Sequence, residues 1–494
     1  MVASHATSVY PTLLRLADQN RSQYMGVLNQ MLVMKFGGTS VGNATAISQT
    51  VDIVAKQAAS GPIVVIVSAM SGITNTLLAT AAEAEAGNSE AVETSRATLL
   101  APHRSALLEL LPSGQRRRAT EATLATLVDE AARLLYSIYV LRELSPRAKD
   151  RLVSFGERMS SVVVAAALEE RGTPAQAVPA DQLIVTDSKF GSAAPIFDKT
   201  RSMARTTLQP LIDTGITPIV TGFFGADEAG LTTTLGRGGS DFSASILGNV
   251  LDAEAVWIWT DVDGVLTADP RIVPAARTLD VISYDEATEL AYFGAKVIHP
   301  KTMHPAAEAG IPIWIKNTFR PDQPGTKIDT ESAPLPVAKA IASISGMSAI
   351  TVQGRGQIGV SDVTARIFSS VGRTGANVFM ISQASSQHSV TFIVQDTDAS
   401  AVMSALNEEF ANDLQSERVL SVTLNDDLAI VAVVGAGMRG TPGVAGRVFS
   451  TMGANDINIV TIAQGSSELN ISFVIAQADV ARAVNALHTA FAIA

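Results

Sequence analysis

Met31-Leu-Val-Met-Lys35-Phe36-Gly37-Gly38-Thr39-Ser40 is an apolar run that ends in a lysine, two glycines and two hydroxyls. The run reads as a buried strand that delivers Lys35 to its carboxyl end. The glycines let a phosphate approach bare backbone N–H groups, and Asn43 is placed to cap a helix carried by Ile47, Val51 and Val54. The spacing is not that of a P-loop, which needs four residues between its glycines and Lys-Ser/Thr after the second. Here the lysine precedes the glycines, so a different nucleotide fold is expected. Taken alone, a strand-end lysine beside two glycines is more often a solvated turn, and the choice rests on what lies further along.

A second loop, Leu235-Gly236-Arg237-Gly238-Gly239-Ser240-Asp241, opens onto the apolar Phe242-Ser-Ala-Ser-Ile246-Leu247. Ser240 or Asp241 reads as the N-cap of a helix, and the glycines as a tight turn. That leaves Arg237, whose planar fork matches two oxygens of a carboxylate or phosphate at once. Asp241 can hold Lys35 in place without adding net charge beside a phosphate. Around these loops, strands at Leu32 to Phe36, Ile63 to Val67, Ile219 to Phe224, Val256 to Thr260 and Ile311 to Ile315 alternate with helical segments such as Glu157 to Arg171 and Ser240 to Val250. That alternation predicts an α/β sandwich with a mostly parallel central sheet. The Pro-rich Arg320 to Pro336 reads as a linker.

Beyond it the chain is duplicated. Gly354, Gly356, Gly359, Arg366, Phe368, Gly372, Asn377, Ile381, Gln383 and Phe392 each recur 81 residues later, ending with Gln464 and Phe473. A gapless offset over so many positions means two copies of one unit: strand, glycine turn, helix, two strands and a last helix. Both copies carry Gly-x-Gly-x-x-Gly, yet a dinucleotide site needs an acidic residue after the next strand, and here those strands end in Gln383 and Gln464. A neutral amide suits a zwitterion, with the glycine turns offering backbone N–H groups to its carboxylate.

Seven ordered motifs resemble the amino acid kinase family and, within it, the aspartokinases: Lys35-Phe-Gly-Gly-Thr-Ser40, Ser71-Gly-Ile-Thr74-Asn75, Phe155-Gly156-Glu157-Arg158-Met159-Ser160, Thr233-Thr-Leu-Gly-Arg237-Gly-Gly-Ser-Asp241, Trp259-Thr260-Asp261-Val-Asp-Gly264, Asp269-Pro270-Arg271 and Phe293-Gly294-Ala295-Lys296-Val297. The resemblance implies that Lys35 and Asp241 are catalytic, with Lys35 on the ATP phosphates beside Phe36, Gly37 and Gly38. It implies that Ser40, Thr74, Glu157, Arg237, Gly238, Gly239 and Ser240 hold L-aspartate, Glu157 facing its ammonium. It places Thr260, Asp261, Leu266, Arg271, Lys296 and Val297 around the nucleotide. Leu266 departs from the tyrosine common in relatives, so packing on adenine is expected to differ. Without the family, Glu157 reads as an ordinary polar helix residue.

The implied reaction is ATP-dependent phosphorylation of the aspartate side chain to 4-phospho-L-aspartate, the first step of lysine, threonine and methionine biosynthesis, with Mg2+ on the phosphates and no metal site built by the protein. The duplicated half resembles tandem ACT domains of the βαββαβ type, which bind amino acids. Ile381-Ser-Gln383 and Ile462-Ala-Gln464 look most like the kinase half of bifunctional aspartokinase/homoserine dehydrogenases, which implies threonine feedback through Gln383 and Gln464, with lysine as the alternative effector. With an end at Ala494, a monofunctional relative is expected. The layout is then an extension (1–30), a catalytic domain (31–322), a linker (323–340) and ACT domains at 341–422 and 423–494, in a homodimer or larger homo-oligomer. Residues 1–30 read as a short helix, a tail, a faint transit peptide or a mis-assigned start at Met31 or Met34.

Composition narrows the partners. With 494 residues, 47% hydrophobic and 17% charged, the chain has material for about three domains. Its net charge of −11 argues against nucleic acid and anionic membranes, and no apolar run is long enough to span a bilayer. The absence of cysteine excludes disulfides and fits a reducing cytoplasm. Asp261-Val-Asp263-Gly264 fails as a calcium loop because its glycine comes two positions early, and His299 and His304 lack partners at zinc spacing, reading as helix-start and surface residues. Two rivals remain: a kinase of the same superfamily for another acid, and a catalytically silent amino-acid sensor.

Overall fold

The computed structural model describes residues 31–294, 298–330, 336–354, 362–383, 389–416 and 418–493. The chain divides into two compact units, one through Trp257 and one from Ile258. In the first, β1 (Leu32–Phe36) is buried at every position, as a strand covered on both faces must be. It feeds α1 (Ala44–Ala58), whose first turn is capped as expected: Ala46 N–H donates to Asn43 Oδ1 at 2.9 Å. β2 (Ile63–Val67) then pairs parallel to β1, Leu32 opposite Ile63. There follow α2 (Ile73–Ala86), α3 (Ser89–Leu110), α4 (Gln115–Leu141), α5 (Pro146–Val153), α6 (Phe155–Glu170), β3 (Ala175–Val178), β4 (Val185–Thr186), α7 (Phe197–Asp213), β5 (Thr217–Thr221), β6 (Phe224–Asp227), β7 (Thr232–Thr234) and α8 (Gly239–Val250). The parallel sheet runs β3-β5-β2-β1, and β4-β6-β7 form a small second sheet.

The strand expected at Ile219 to Phe224 is two strands. Gly222 N–H still bonds Val67 O at 2.9 Å, but Phe223 adopts φ 77° and Phe224 opens β6 in the small sheet. The cause is α8: a Cβ on Gly222 would sit 2.6 Å from Ser240 Cβ, so the helix start fills the space the strand would need to continue.

The chain leaves the first unit inside β8 (Ala255–Thr260). The second unit contains β9 (Val281–Ser283), α9 (Tyr284–Tyr292), α10 (Pro300–Glu308), β10 (Ile313–Asn317) and β11 (Thr326–Asp329). β10 begins two residues later than expected. β11 pairs antiparallel with β10 and parallel with β9, so the stretch read as a linker carries a sheet strand.

The duplicated region comprises β12 (Ala340–Gly354), α11 (Asp362–Thr374), β13 (Met380–Gln383), β14 (Ser389–Gln395), α12 (Asp396–Glu409), α13 (Ala411–Gln415), β15 (Val419–Val434), α14 (Val444–Ala454), β16 (Thr461–Ala463), β17 (Asn470–Ala476) and α15 (Val480–Ala490). One antiparallel sheet, β13-β14-β12-β15-β17-β16, joins both copies. β12 and β15 pair along their whole lengths, Ala340 opposite Val434 and Gly354 opposite Val419. Each copy therefore takes its fourth strand from the long strand that opens the other copy, or from its lead-in: residues 419–425 serve the first, 340–345 the second. The repeat persists in the packing. Phe368 meets Phe392 edge-on at 5.8 Å, and 81 residues later Phe449 meets Phe473 at 6.3 Å. Arg366 lies over Phe410 at 4.5 Å and Arg447 over Phe491 at 5.4 Å. Among the described residues, no helix is long and apolar enough to cross a membrane.

Candidate active site

Lys35 is 8% exposed near the end of β1, and its Nζ lies 2.6 Å from Asp241 Oδ1. The pair is in close ionic contact. Asp241 stands in the first turn of α8, where the positive helix end favours an anion. The N-cap of α8 is Gly238, not Ser240 or Asp241 as expected. Gly236 and Gly238 take φ 82° and 69°, and a Cβ on Gly239 would strike the Phe223 ring at 2.7 Å. Only glycine meets these demands cheaply, and the result moves the helix start two residues upstream. Ser240 is buried, whereas Arg237 is exposed and, among the described residues, has no ion-pair partner. Arg237 and the Lys35–Asp241 pair thus come to one end of one helix.

Glu157 enters the same region from the first turn of α6. It is 3% exposed, and burial pushes its carboxyl up to about 8, against the pull of the Ala69 N–H bond, Arg158 and Lys35. The helix approaches this closely because Gly156 lacks a side chain; a Cβ there would meet Ala69 Cβ at 2.8 Å. Glu157 Oε2, Ser160 Oγ and Asp241 Oδ1 are buried without a hydrogen-bond partner among the described residues. For Glu157 Oε2 and Ser160 Oγ this costs about 1–3 kcal/mol each, which a polar ligand bearing donors would recover, whereas Asp241 Oδ1 is met by the Lys35 ammonium. Phe36 and Ser40 are buried, and Ser40 N–H closes a tight turn on Gly37 O at 3.0 Å. Gly38 passes close to the next strand end, its missing Cβ 3.1 Å from Ala69 O. Thr74 is half-buried in the first turn of α2, behind Gly72 at φ 84°.

In the second unit, Thr260 ends β8 and donates to Asp261 Oδ1 at 3.1 Å. The Asp261–Gly264 loop is held by Asn317, which donates to Asp263 Oδ1 at 2.7 Å, and by Arg320, 2.5 Å from Asp263 Oδ2. Leu266 is half-buried and bridges to Thr278. The Arg271 side chain is 88% exposed and forks onto Asp269 at 2.6–3.1 Å, so it turns toward its own loop. Lys296 and Val297 lie outside the described residues. His299 caps α10, accepting from Lys301 N–H at 3.2 Å, and His304 is a surface residue 3.4 Å from Glu308.

Gln383 ends β13 and Gln464 follows β16, both exposed. The reading of the second glycine turn as a cradle of free donors is corrected at two positions. Ala436 N–H donates to Glu286 Oε1 at 2.6 Å, and Gly440 N–H to Glu468 Oε2 at 2.7 Å. The turn does bind carboxylates, but they are the protein's own. The first turn, at 355–361, lies outside the described residues.

Two features escaped sequence reasoning: the Arg158–Asp181 pair, with Arg158 4.7 Å over Phe224, and the buried Asp150. Asp150 precedes Glu157 by seven residues with Val153 between, a helical spacing that marks it as facing the same interior.

The amino acid kinase family matches residues 30–317, and the ACT domain matches residues 350–410 and 431–491. The chain is 36% identical over 467 residues to the chloroplastic bifunctional aspartokinase/homoserine dehydrogenase 1 of Arabidopsis thaliana, covering 93% of this chain and 51% of that protein. It thus spans about half the length of such bifunctional relatives. It is 33% identical to lysine-sensitive aspartokinase 3 of Escherichia coli, covering 94% of this chain and 99% of that one. The crystal structure of E. coli aspartokinase III with aspartate and ADP superposes with a TM-score of 0.76 at 31% identity, over 93% of this chain and 99% of that chain. The α/β fold with its mostly parallel sheet, the ordered motifs and the duplicated C-terminal region agree with these matches, and the chain belongs to the amino acid kinase family, among the aspartokinases that carry ACT domains.

Proposed function

We propose that this chain transfers the γ-phosphoryl group of ATP to the side-chain carboxylate of L-aspartate, giving 4-phospho-L-aspartate and ADP. The observation that carries the reading is the Lys35–Asp241 ion pair beside the buried Glu157, whose Oε2, like Ser160 Oγ, has no hydrogen-bond partner among the described residues. The acceptor carboxylate is already ionised at pH 7, so no general base is needed. The burden is to hold two anions in line and offset their repulsion. Lys35 supplies an ammonium whose position Asp241 fixes. Arg237, exposed and without an ion-pair partner among the described residues, projects a fork suited to a carboxylate of aspartate. The glycine turn after β1 would present backbone to the phosphates and Ser40 would lie on the aspartate side, while the family motifs are what assign Thr260, Asp261, Leu266, Arg271, Lys296 and Val297 to the nucleotide. Magnesium would neutralise phosphate charge, held mainly by phosphate oxygens and waters, as suits an ion that dehydrates reluctantly. The Asp241 carboxylate, held beside Lys35, would offer an acceptor to one of those waters.

Glu157 gives the reading a pH signature. With its carboxyl near 8, the free site holds this group largely neutral at pH 7, and an entering ammonium must drive its proton off. The KM for aspartate is therefore expected to fall as pH rises toward about 8, by up to about tenfold per unit, and then level off. Glu157→Gln should abolish that slope. A flat wild-type profile between pH 6.5 and 8 would separate Glu157 from ammonium recognition.

Regulation by an amino acid bound to the repeats near Gln383 and Gln464 completes the proposal, with threonine the effector, lysine the alternative that the lysine-sensitive E. coli relative supports, and association of ACT repeats between copies the expected route to a homo-oligomer. The test is a coupled ADP assay with aspartate, glutamate and acetylglutamate, each with and without threonine or lysine at about 10 mM, roughly tenfold above the usual range of substrate affinities. ADP release with aspartate alone, inhibited by threonine, is the expected result. Inhibition by lysine only would reassign the effector. Bound threonine without ADP release would leave an amino-acid sensor.

A further inference from the structure

Asp150 lies on α5 and is 2% exposed. Among the described residues no cation pairs with it; three donors satisfy it instead. Its Oδ2 accepts from Thr234 N–H at 2.7 Å and Gly191 N–H at 2.8 Å, and its Oδ1 accepts from Thr234 Oγ1–H at 2.8 Å. A buried carboxylate is tolerated only when its oxygens are met in this way, and hydrogen bonds to an ionised acceptor are about twice as strong as neutral ones.

The donors belong to two segments that flank the arginine loop. Thr234 ends β7, three residues before Arg237. Gly191 belongs to the loop that backs Gly236: its carbonyl would lie 3.3 Å from a Cβ there, and Ala193 N–H donates to Thr234 O at 2.9 Å. Leu235 N–H in turn bonds Phe223 O at 2.9 Å. The backbone from Thr234 to Gly236 is thus clamped from both sides, and the next residue is Arg237, exposed and without an ion-pair partner among the described residues.

We propose that Asp150 is a positioning residue for Arg237, fixing the backbone from which the guanidinium reaches a substrate carboxylate. This rests on the reading of Arg237 as an aspartate contact. Asp150→Ala is expected to raise the KM for aspartate about tenfold or more, with kcat and the KM for ATP within about threefold, because charge-assisted bonds of this kind are removed. Asp150→Asn should restore the aspartate KM to within about threefold of wild type, since its amide oxygen can accept both N–H groups while its NH2 donates to the Thr234 hydroxyl, which serves equally as acceptor. In an Arg237→Ala background, Asp150→Ala should add less than about threefold, the non-additivity of residues acting through one contact. Thr234→Val, which removes only the hydroxyl and keeps the shape, should raise the aspartate KM in the same direction and decides the matter if Asp150→Ala does not fold. A lowered melting temperature with an unchanged aspartate KM, or an equal rise in both KM values, would overturn the proposal. Wild-type enzyme that fails to release ADP with aspartate would instead overturn the substrate reading beneath it.

Discussion

Lys35→Met is expected to lower kcat by about 10²–10³-fold, the loss typical when one preorganised charge-stabilising donor is removed from a site of developing negative charge. The side chains of Lys35 and Asp241 are 10% and 16% exposed, so the ammonium acts where water screens little. Methionine keeps the unbranched length of lysine in β1, a strand whose every residue is buried, and the apolar packing should survive. Asp241 would then remain as an uncompensated carboxylate beside the transferred phosphoryl group, which adds repulsion to the missing attraction. The double variant Lys35→Met/Asp241→Asn separates these contributions. It should regain stability lost in the single variant while turnover stays low, because neutralising Asp241 does not restore a cation to the phosphates. ADP release measured alongside thermal melting distinguishes the outcomes, and near-normal turnover in folded Lys35→Met would remove this lysine from the chemistry.

What could be read in advance followed the range of the interactions. β1, the Asn43 cap and α8 depend on neighbours a few residues away, so periodicity and cap chemistry located them. The repeat was legible because an 81-residue offset needs no structural knowledge, and its aromatic pairs then appeared in duplicate in space. Where two local solutions competed, the sequence did not choose. Gly236, Gly238 and Gly239 permit more than one helix start, and contact with Phe223 selects Gly238 over Ser240. The Phe223-Phe224 pair extends a β-forming run past the point where Ser240 ends the strand. β12 was foreseen only at Ile350 to Gln353, because Gly346, at φ 73°, interrupts the alternation with a register shift that the long partner β15 tolerates. Asp150 stayed silent for a different reason: its donors lie 41 and 84 residues away, and a carboxylate on a helix says nothing about which amides will meet it. The same holds for Ala436 and Glu286, 150 residues apart.

Lys339→Met should destabilise the second unit by about 3–5 kcal/mol, the cost typical of removing one member of a buried ion pair. Lys339 and Glu286 are 3% and 0% exposed, with Nζ 3.1 Å from Oε2. Glu286 is also the N3 residue of the α9 capping box, accepting from Ser283 N–H at 2.8 Å, and its other oxygen takes the Ala436 N–H of the second glycine turn. One carboxylate therefore joins a helix start, a buried lysine and a repeat. Methionine leaves the two amides in place but removes the Lys339 ammonium from the carboxylate. For a body of this size the loss corresponds to a fall of roughly 6–20 °C in melting temperature. Adding Glu286→Gln should recover a large part of it, since replacing both members of a buried pair is often near neutral. The consequence reaches beyond stability, because Glu289 accepts from Asn470, and Tyr292 OH reaches Phe379 O at 3.0 Å and Val378 O at 3.2 Å. α9 is thereby tied to both copies of the duplicated unit just before the Phe293-Gly294 motif, so loosening Glu286 should also weaken the response of ATP affinity to an amino-acid effector. Denaturant and thermal unfolding of the single and double variants test the first claim, and a Lys339→Met protein that melts within about 1 °C of wild type would refute it.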